Sequence, residues 1–144
     1  RGKGVAVKSY PGLNAQYAHK AEEFHADYVF VLDKPIIGPD FLEEIERMQL
    51  PLVWIDHHEV ETGIKAKEHS LLTVFNPALA TGKDKSKEPV TYLVYDNLAK
   101  KEDIWIAMMG CIADHFLPPF AEEFKKRVNA KYNYFAKYIK KLNN

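Results

Sequence analysis

The sequence predicts an α/β fold: a mainly parallel sheet with helices on both faces. Two apolar runs rich in Val, Ile and aromatic residues, 28–32 and 52–55, are too short for helices, and each ends in Asp. Between them Phe41, Leu42, Ile45 and Met48 recur at helical spacing. Strand, helix and strand joined by short connections form a right-handed βαβ unit, which implies parallel pairing.

In chain order, residues 4–8 are a short strand candidate through Val5, Ala6 and Val7, followed by a turn at Pro11-Gly12. Residues 14–23 make one short helix with Tyr17 and Ala21 inward, and residues 27–32 make the first central strand. Gly38-Pro39-Asp40 reads as a helix start, with Pro at the first helical position and an acid in the first turn. The helix over 39–48 covers one face of the sheet, and Pro51 bounds the next strand, 52–55. Residues 59–70 are polar loop, and 71–75 form a further strand stopped by Asn76-Pro77.

Residues 80–88 form a charged loop. Lys alternates there with Asp and Glu, which favours a solvated excursion over a phosphate-binding loop. Residues 89–98 fit a helix with Val90, Leu93, Val94 and Asn97 along one stripe. Residues 104–112 are almost continuously apolar, so a buried helix is expected, delivering Asp114 at its end before Pro118-Pro119. In the tail, Phe120, Phe124, Val128, Phe135, Ile139 and Leu142 recur at steps of three, four or seven. That spacing predicts one or two amphipathic helices whose Lys-rich face is either solvated or set against a nucleic-acid backbone.

Composition narrows the function classes. A length of 144 residues, 47% of them hydrophobic, is one domain's worth of chain with a core of its own. A formal net charge of zero gives no bulk attraction for nucleic acid, so any basic groove is local. Cys111 is the only cysteine, which excludes an internal disulfide framework and fits a reducing cytoplasm. No apolar run approaches the roughly 18–20 residues of a membrane span, so no membrane partner is expected. The first residue is Arg and no signal-peptide pattern follows, so the expectation is a start within a longer polypeptide or at a processed end.

Chemistry concentrates in Asp33 and in Asp56-His57-His58. Parallel strands finishing side by side bring these residues together at the carboxyl edge of the sheet, where ligands bind in open α/β folds. An Asp at a strand end is also an ordinary turn cap. Paired imidazoles beside carboxylates suit Mn²⁺, Fe²⁺ or Zn²⁺, whereas Ca²⁺ takes oxygen ligands. Neighbouring residues of an extended strand face opposite ways, so one His is expected to bind a metal while the other faces substrate or a partner behind the ligands. Asp114 at a helix carboxyl end opposes the helix dipole, a cost that a cation would offset; alone, it is simply a helix-end residue.

Val31-Leu32-Asp33, Trp54-Ile55-Asp56-His57-His58 and Gly110-Cys111-Ile112-Ala113-Asp114 resemble the second, third and fourth motifs of the DHH phosphoesterase superfamily. That superfamily includes RecJ-type single-strand exonucleases, oligoribonucleotide phosphodiesterases and manganese-dependent inorganic pyrophosphatases, and the text is closest to archaeal RecJ-like members. The resemblance implies a partial DHH domain over residues 1–120 and an amphipathic helical extension over 121–144. The family's first motif, a His followed by two Asp residues, is not matched: His19 leads to Glu23, and His25 has only Asp27 beside it. The strand and helix of that motif, and the small second domain that selects substrate, are therefore expected from elsewhere.

By resemblance, Asp33 bridges two divalent ions, Mn²⁺ or alternatively Mg²⁺, while His57 and Asp114 complete the ligands of one of them. His58 sits towards the scissile phosphate, and Asp56 orients an imidazole from behind. Such a metal pair polarises a water and neutralises charge on the phosphate in flight. With only Asp33 left for the other ion, the isolated chain is expected to hold one metal and to be inactive or nearly so. A complementary chain supplying the first motif is the implied partner.

Three functions are thus expected in order. The first is the catalytic half of a RecJ-like nuclease acting on single-stranded nucleic acid in DNA replication or repair. The second is a scaffold that keeps the fold among replication proteins without catalysis. The third is a phosphohydrolase for pyrophosphate or short oligonucleotides.

Overall fold

The computed structural model describes residues 2–8, 12–59, 69–77 and 87–128. Among the described residues the protein is mixed α/β, with five α-helices and two small parallel sheets. The chain divides into two compact units, Arg1–Ser86 and Lys87–Asn144. No helix among the described residues is long and apolar enough to cross a membrane.

In the first unit, strand β1 (Gly12–Leu13) leads into helix α1 (Ala15–Glu23), strand β2 (Val29–Leu32), strand β3 (Ile36–Ile37), helix α2 (Pro39–Arg47), strand β4 (Leu52–Ile55) and strand β5 (Leu72–Phe75). The larger sheet has the order β2-β4-β5, all parallel, with Leu32 opposite Ile55 and Ile55 opposite Phe75. Its register is fixed by side-chain alternation. Val31, Leu52 and Trp54 are buried with Ala18, Phe41, Leu42 and Ile45, so α1 and α2 lie against one face. Phe30, Leu32 and Phe75 belong to the opposite face and are more than half exposed.

Local chemistry accounts for these boundaries. The Asn14 side chain caps α1 by accepting from the Gln16 N–H at 3.2 Å. Pro39 opens α2, and Asp40 in its first turn accepts the Ala15 N–H at 2.9 Å, tying the two helix starts together. Both helices stop in the same way: His25 and Gln49 take left-handed φ of 49° and 55°. The next N–H in each case then reaches back five residues, Ala26 to the Ala21 carbonyl and Leu50 to the Ile45 carbonyl.

The second unit contains α3 (Val90–Leu98), a 3₁₀ turn (Lys101–Asp103), α4 (Ile104–Ala113) and α5 (Ala121–Val128). Its core joins Ile104, Met108, Ala121 and Phe124, with Tyr95 set edge-on to Phe120 at 4.9 Å between ring centres. Gly110 lets α4 approach α3, because a Cβ there would run into Thr91.

The structure corrects several expectations. Val5, Ala6 and Val7 form no strand; the Lys8 N–H instead donates to the Tyr17 hydroxyl at 3.1 Å and Lys3 sits over the Phe24 ring, so this segment is held by α1. Gly12 is not a turn residue but pairs with Ile36 in the smaller sheet. Helix α4 is not buried all round: Ile104, Ala107, Met108 and Cys111 are covered, whereas Trp105, Ile106 and Met109 are 43–48% exposed. The charged loop expected over 80–88, apart from its last two residues, and the tail helix beyond α5 lie outside the described residues, as does most of the 59–70 loop.

Candidate metal centre

Strands β2 and β4 finish together, and that is what gathers the polar residues. The Asp33 N–H donates to the Ile55 carbonyl at 3.0 Å, one step beyond the last residue of β2. Asp33 then takes a left-handed φ of 57°, a conformation that Asp tolerates better than most residues. The chain bends there, and the carboxylate is about half exposed. The turn is gripped from below: the buried indole of Trp54 donates to the Lys34 carbonyl at 2.8 Å.

Beyond β4 the backbone is held by one buried side chain. Asp56 is 1% exposed, and its Oδ2 accepts the His58 N–H at 2.9 Å while Oδ1 stands 2.8 Å from His58 Nδ1. An ionised carboxylate can only accept, so the geometry suits a proton on Nδ1; in the neutral imidazole that tautomer leaves Nε2 as the acceptor. This turn ends the extended run at residue 56. His57 and His58 therefore do not face opposite ways; their rings meet edge to face, 4.5 Å apart. The opposite-face expectation holds only while the strand continues, and it stops one residue earlier.

His57 is mostly buried, with Nε2 3.4 Å from Asp33 Oδ1. Its Nδ1 is buried without a hydrogen-bond partner among the described residues. His58 Nδ1 lies 4.0 Å from the same Asp33 oxygen, but Asp56 engages it. Asn76, directly after β5, is itself buried and donates from Nδ2 to the His58 carbonyl at 2.9 Å.

The donor set fits a divalent transition ion. Asp33, His57 and His58 each offer a ligand atom, all within 4.8 Å of one another.

The structure thus brings together Asp33, His57 and His58, with Asp56 behind His58. Asp114 belongs to the second unit, where it caps the carboxyl end of α4 and its N–H donates to the Gly110 carbonyl at 3.0 Å. In that unit the Cys111 thiol is pushed up to about 12, chiefly by burial and further by the Asp114 charge. Asn76 was legible in the sequence only as the residue that stops a strand. Against known proteins, no protein-family model, curated protein or solved structure matches the chain.

Proposed function

We propose that this chain carries part of the active site of a two-metal phosphodiesterase of the DHH type, with a RecJ-like single-strand nuclease as the reading that fits best. One observation carries the proposal: a carboxylate and two imidazoles from the ends of adjacent parallel strands lie within 4.8 Å of one another. Asp33 and His57 would hold the ion. A bound Mn²⁺ there would act as a Lewis acid and lower the pKa of a coordinated water. The chain's own part is to hold Asp33 in its left-handed bend, and to hold the His58 ring through Asp56.

The expectation of a completing strand draws support from β2. Among the described residues this strand stands at the edge of its sheet, and the N–H groups of Val29 and Asp33 are used towards β4. By the alternation of the ladder, the backbone groups of Phe30 and Leu32 face the open side. A cavity of about 880 Å³ separates that side from residues 2–7, lined by Val5, Val7, Phe24, Phe30 and Leu32 among others. A strand carrying the first motif, from a missing N-terminal segment or a second polypeptide, would pair there and supply the second ion's ligands.

Two measurements test the reading. Mn²⁺ titration followed by electron paramagnetic resonance should show a bound ion in the chain, lost in Asp33→Ala and in His57→Ala. Co-expression with neighbouring genes should then recover a partner whose addition switches on Mn²⁺-dependent cleavage of a labelled single strand. Absence of Mn²⁺ binding defeats the metal site; binding without hydrolysis in the recovered complex favours the scaffold.

A further inference from the structure

Asn76 is a buried amide in a place where burial is costly. It is 6% exposed at the carboxyl end of β5, and an amide so placed loses stability unless its polar atoms are paired. Its Nδ2 donates at 2.9 Å to the main-chain carbonyl of His58, eighteen residues earlier in the sequence. The two ends are already fixed to each other, because the Asp56 N–H donates to the Phe75 carbonyl at 3.1 Å and carries the β4–β5 ladder one step beyond the strands. Asn76 therefore acts from a rigid platform.

Taken together, these contacts hold His58 at three of its four polar atoms. Asp56 takes the N–H and faces ring Nδ1, and Asn76 takes the carbonyl. Among the described residues, Nε2 is the atom left. We propose that Asn76 is a positioning residue for the site of Asp33, His57 and His58: it fixes the peptide unit after His58, so that the Asp56 clamp on the ring stays closed and Nε2 remains available to a ligand.

Without the amide, the His58 carbonyl loses its buried donor, and the peptide unit is free to rotate. The ring bond to Asp56 then competes with other rotamers. A group held only by Asp56 would be oriented part of the time. The consequence for metal or phosphate rests on the function proposed above, whereas the positioning itself does not.

The test uses the full-length chain, labelled with ¹⁵N and free of metal, with histidine ring correlations recorded by nuclear magnetic resonance at pH 8. The wild type should show His58 as a single species protonated at Nδ1. In Asn76→Ala the His58 ring signals should move towards a mixture of tautomers or split, while those of His69, which is paired with Glu46, stay in place. Mn²⁺ affinity is read on the same samples, and any loss should be small beside that of His57→Ala, because Asp33 and His57 hold the ion in the function proposed above while Asn76 reaches only the His58 main chain. Asn76→Ser, which restores a shorter donor, should recover part of the wild-type ring signature, and it provides the reading if Asn76→Ala does not fold.

A variant that melts earlier but keeps the wild-type His58 signals would overturn the proposal, since loss of packing alone gives that result. So would a wild-type ring already divided between tautomers. A response of His58 in a chain that binds no Mn²⁺ keeps the positioning role and removes the metal reading. Tight Mn²⁺ binding with an unresponsive His58 does the reverse.

Discussion

The indole N–H of Trp54 donates to the carbonyl oxygen of Lys34 at 2.8 Å, and Lys34 directly follows Asp33. A core side chain of β4 thus fixes the turn that presents the candidate metal ligand. Trp54→Phe keeps most of the apolar volume and removes the donor. Losing this bond should cost about 1–2 kcal/mol in urea denaturation, because the carbonyl stays partly buried. If the turn depends on it, Mn²⁺ affinity should fall as well; unchanged affinity would show that Asp33 is held by its own N–H bond to Ile55.

The buried thiol of Cys111 gives a prediction with a defined pH dependence. Its pKa is raised from 9.0 to about 12, so the folded chain keeps it protonated where the unfolded chain would ionise. The stability this contributes is fully present below pH 9 and is lost as pH rises towards 12. At neutral pH an alkylating reagent should label Cys111 only on unfolding, since the thiolate is the nucleophile and this side chain is fully covered. Rapid labelling of the native chain would contradict the packing of α4.

Helix α1 ends on a histidine where glycine would be easier. His25 has φ of 49°, a conformation costing an ordinary residue about 1–2 kcal/mol. His25→Gly should stabilise the chain by about 0.5–1 kcal/mol once the extra freedom of glycine in the unfolded state is subtracted. Gln49→Gly at the end of α2 should gain less, because it also removes the bond from Gln49 Nε2 to the Glu46 carbonyl. Thermal melting of the two variants side by side checks both the sign and the order.

Gly110 answers to a different constraint. A methyl group there would collide with the Thr91 side chain, so Gly110→Ala should destabilise the second unit by about 1–3 kcal/mol. Thr91→Ala removes two of the three atoms in the way and should restore part of the loss. Additive losses in the double variant would mean that the two positions do not touch.

How far the sequence exposed this structure depends on how each residue signals its environment. Strand β4 was legible to the residue, because Pro51 and Asp56 punctuate an unbroken apolar run. Helix α2 was equally plain from Pro39 and the spacing of its core residues. The pairing of Gly12–Leu13 with Ile36–Ile37 was not, since two residues leave no period to detect. Val5 to Val7 has strand composition, but composition does not name a partner, and here α1 side chains hold the segment. Apolar content alone also overstated the burial of α4, where Trp105 and Ile106 stand in the open.

The same contrast runs through the candidate site. Asp33, Asp56, His57 and His58 announce themselves as charges closing apolar strands. That the two imidazole rings meet comes from the Asp56 turn, which depends on side-chain hydrogen bonds rather than on pattern. Asn76 is invisible for a related reason: its partner is a main-chain carbonyl, and every residue has one.

The bare margin of β2 bears on how the isolated chain behaves in the test tube. Phe30 is 60% exposed and Leu32 52%, on a strand whose outer side pairs with no other strand among the described residues. Such a margin invites copies of the same molecule to zip together, and no lysine or proline interrupts it to discourage them. Concentrated solutions should scatter light and lose material on standing. A single Phe30→Lys change should keep them clear.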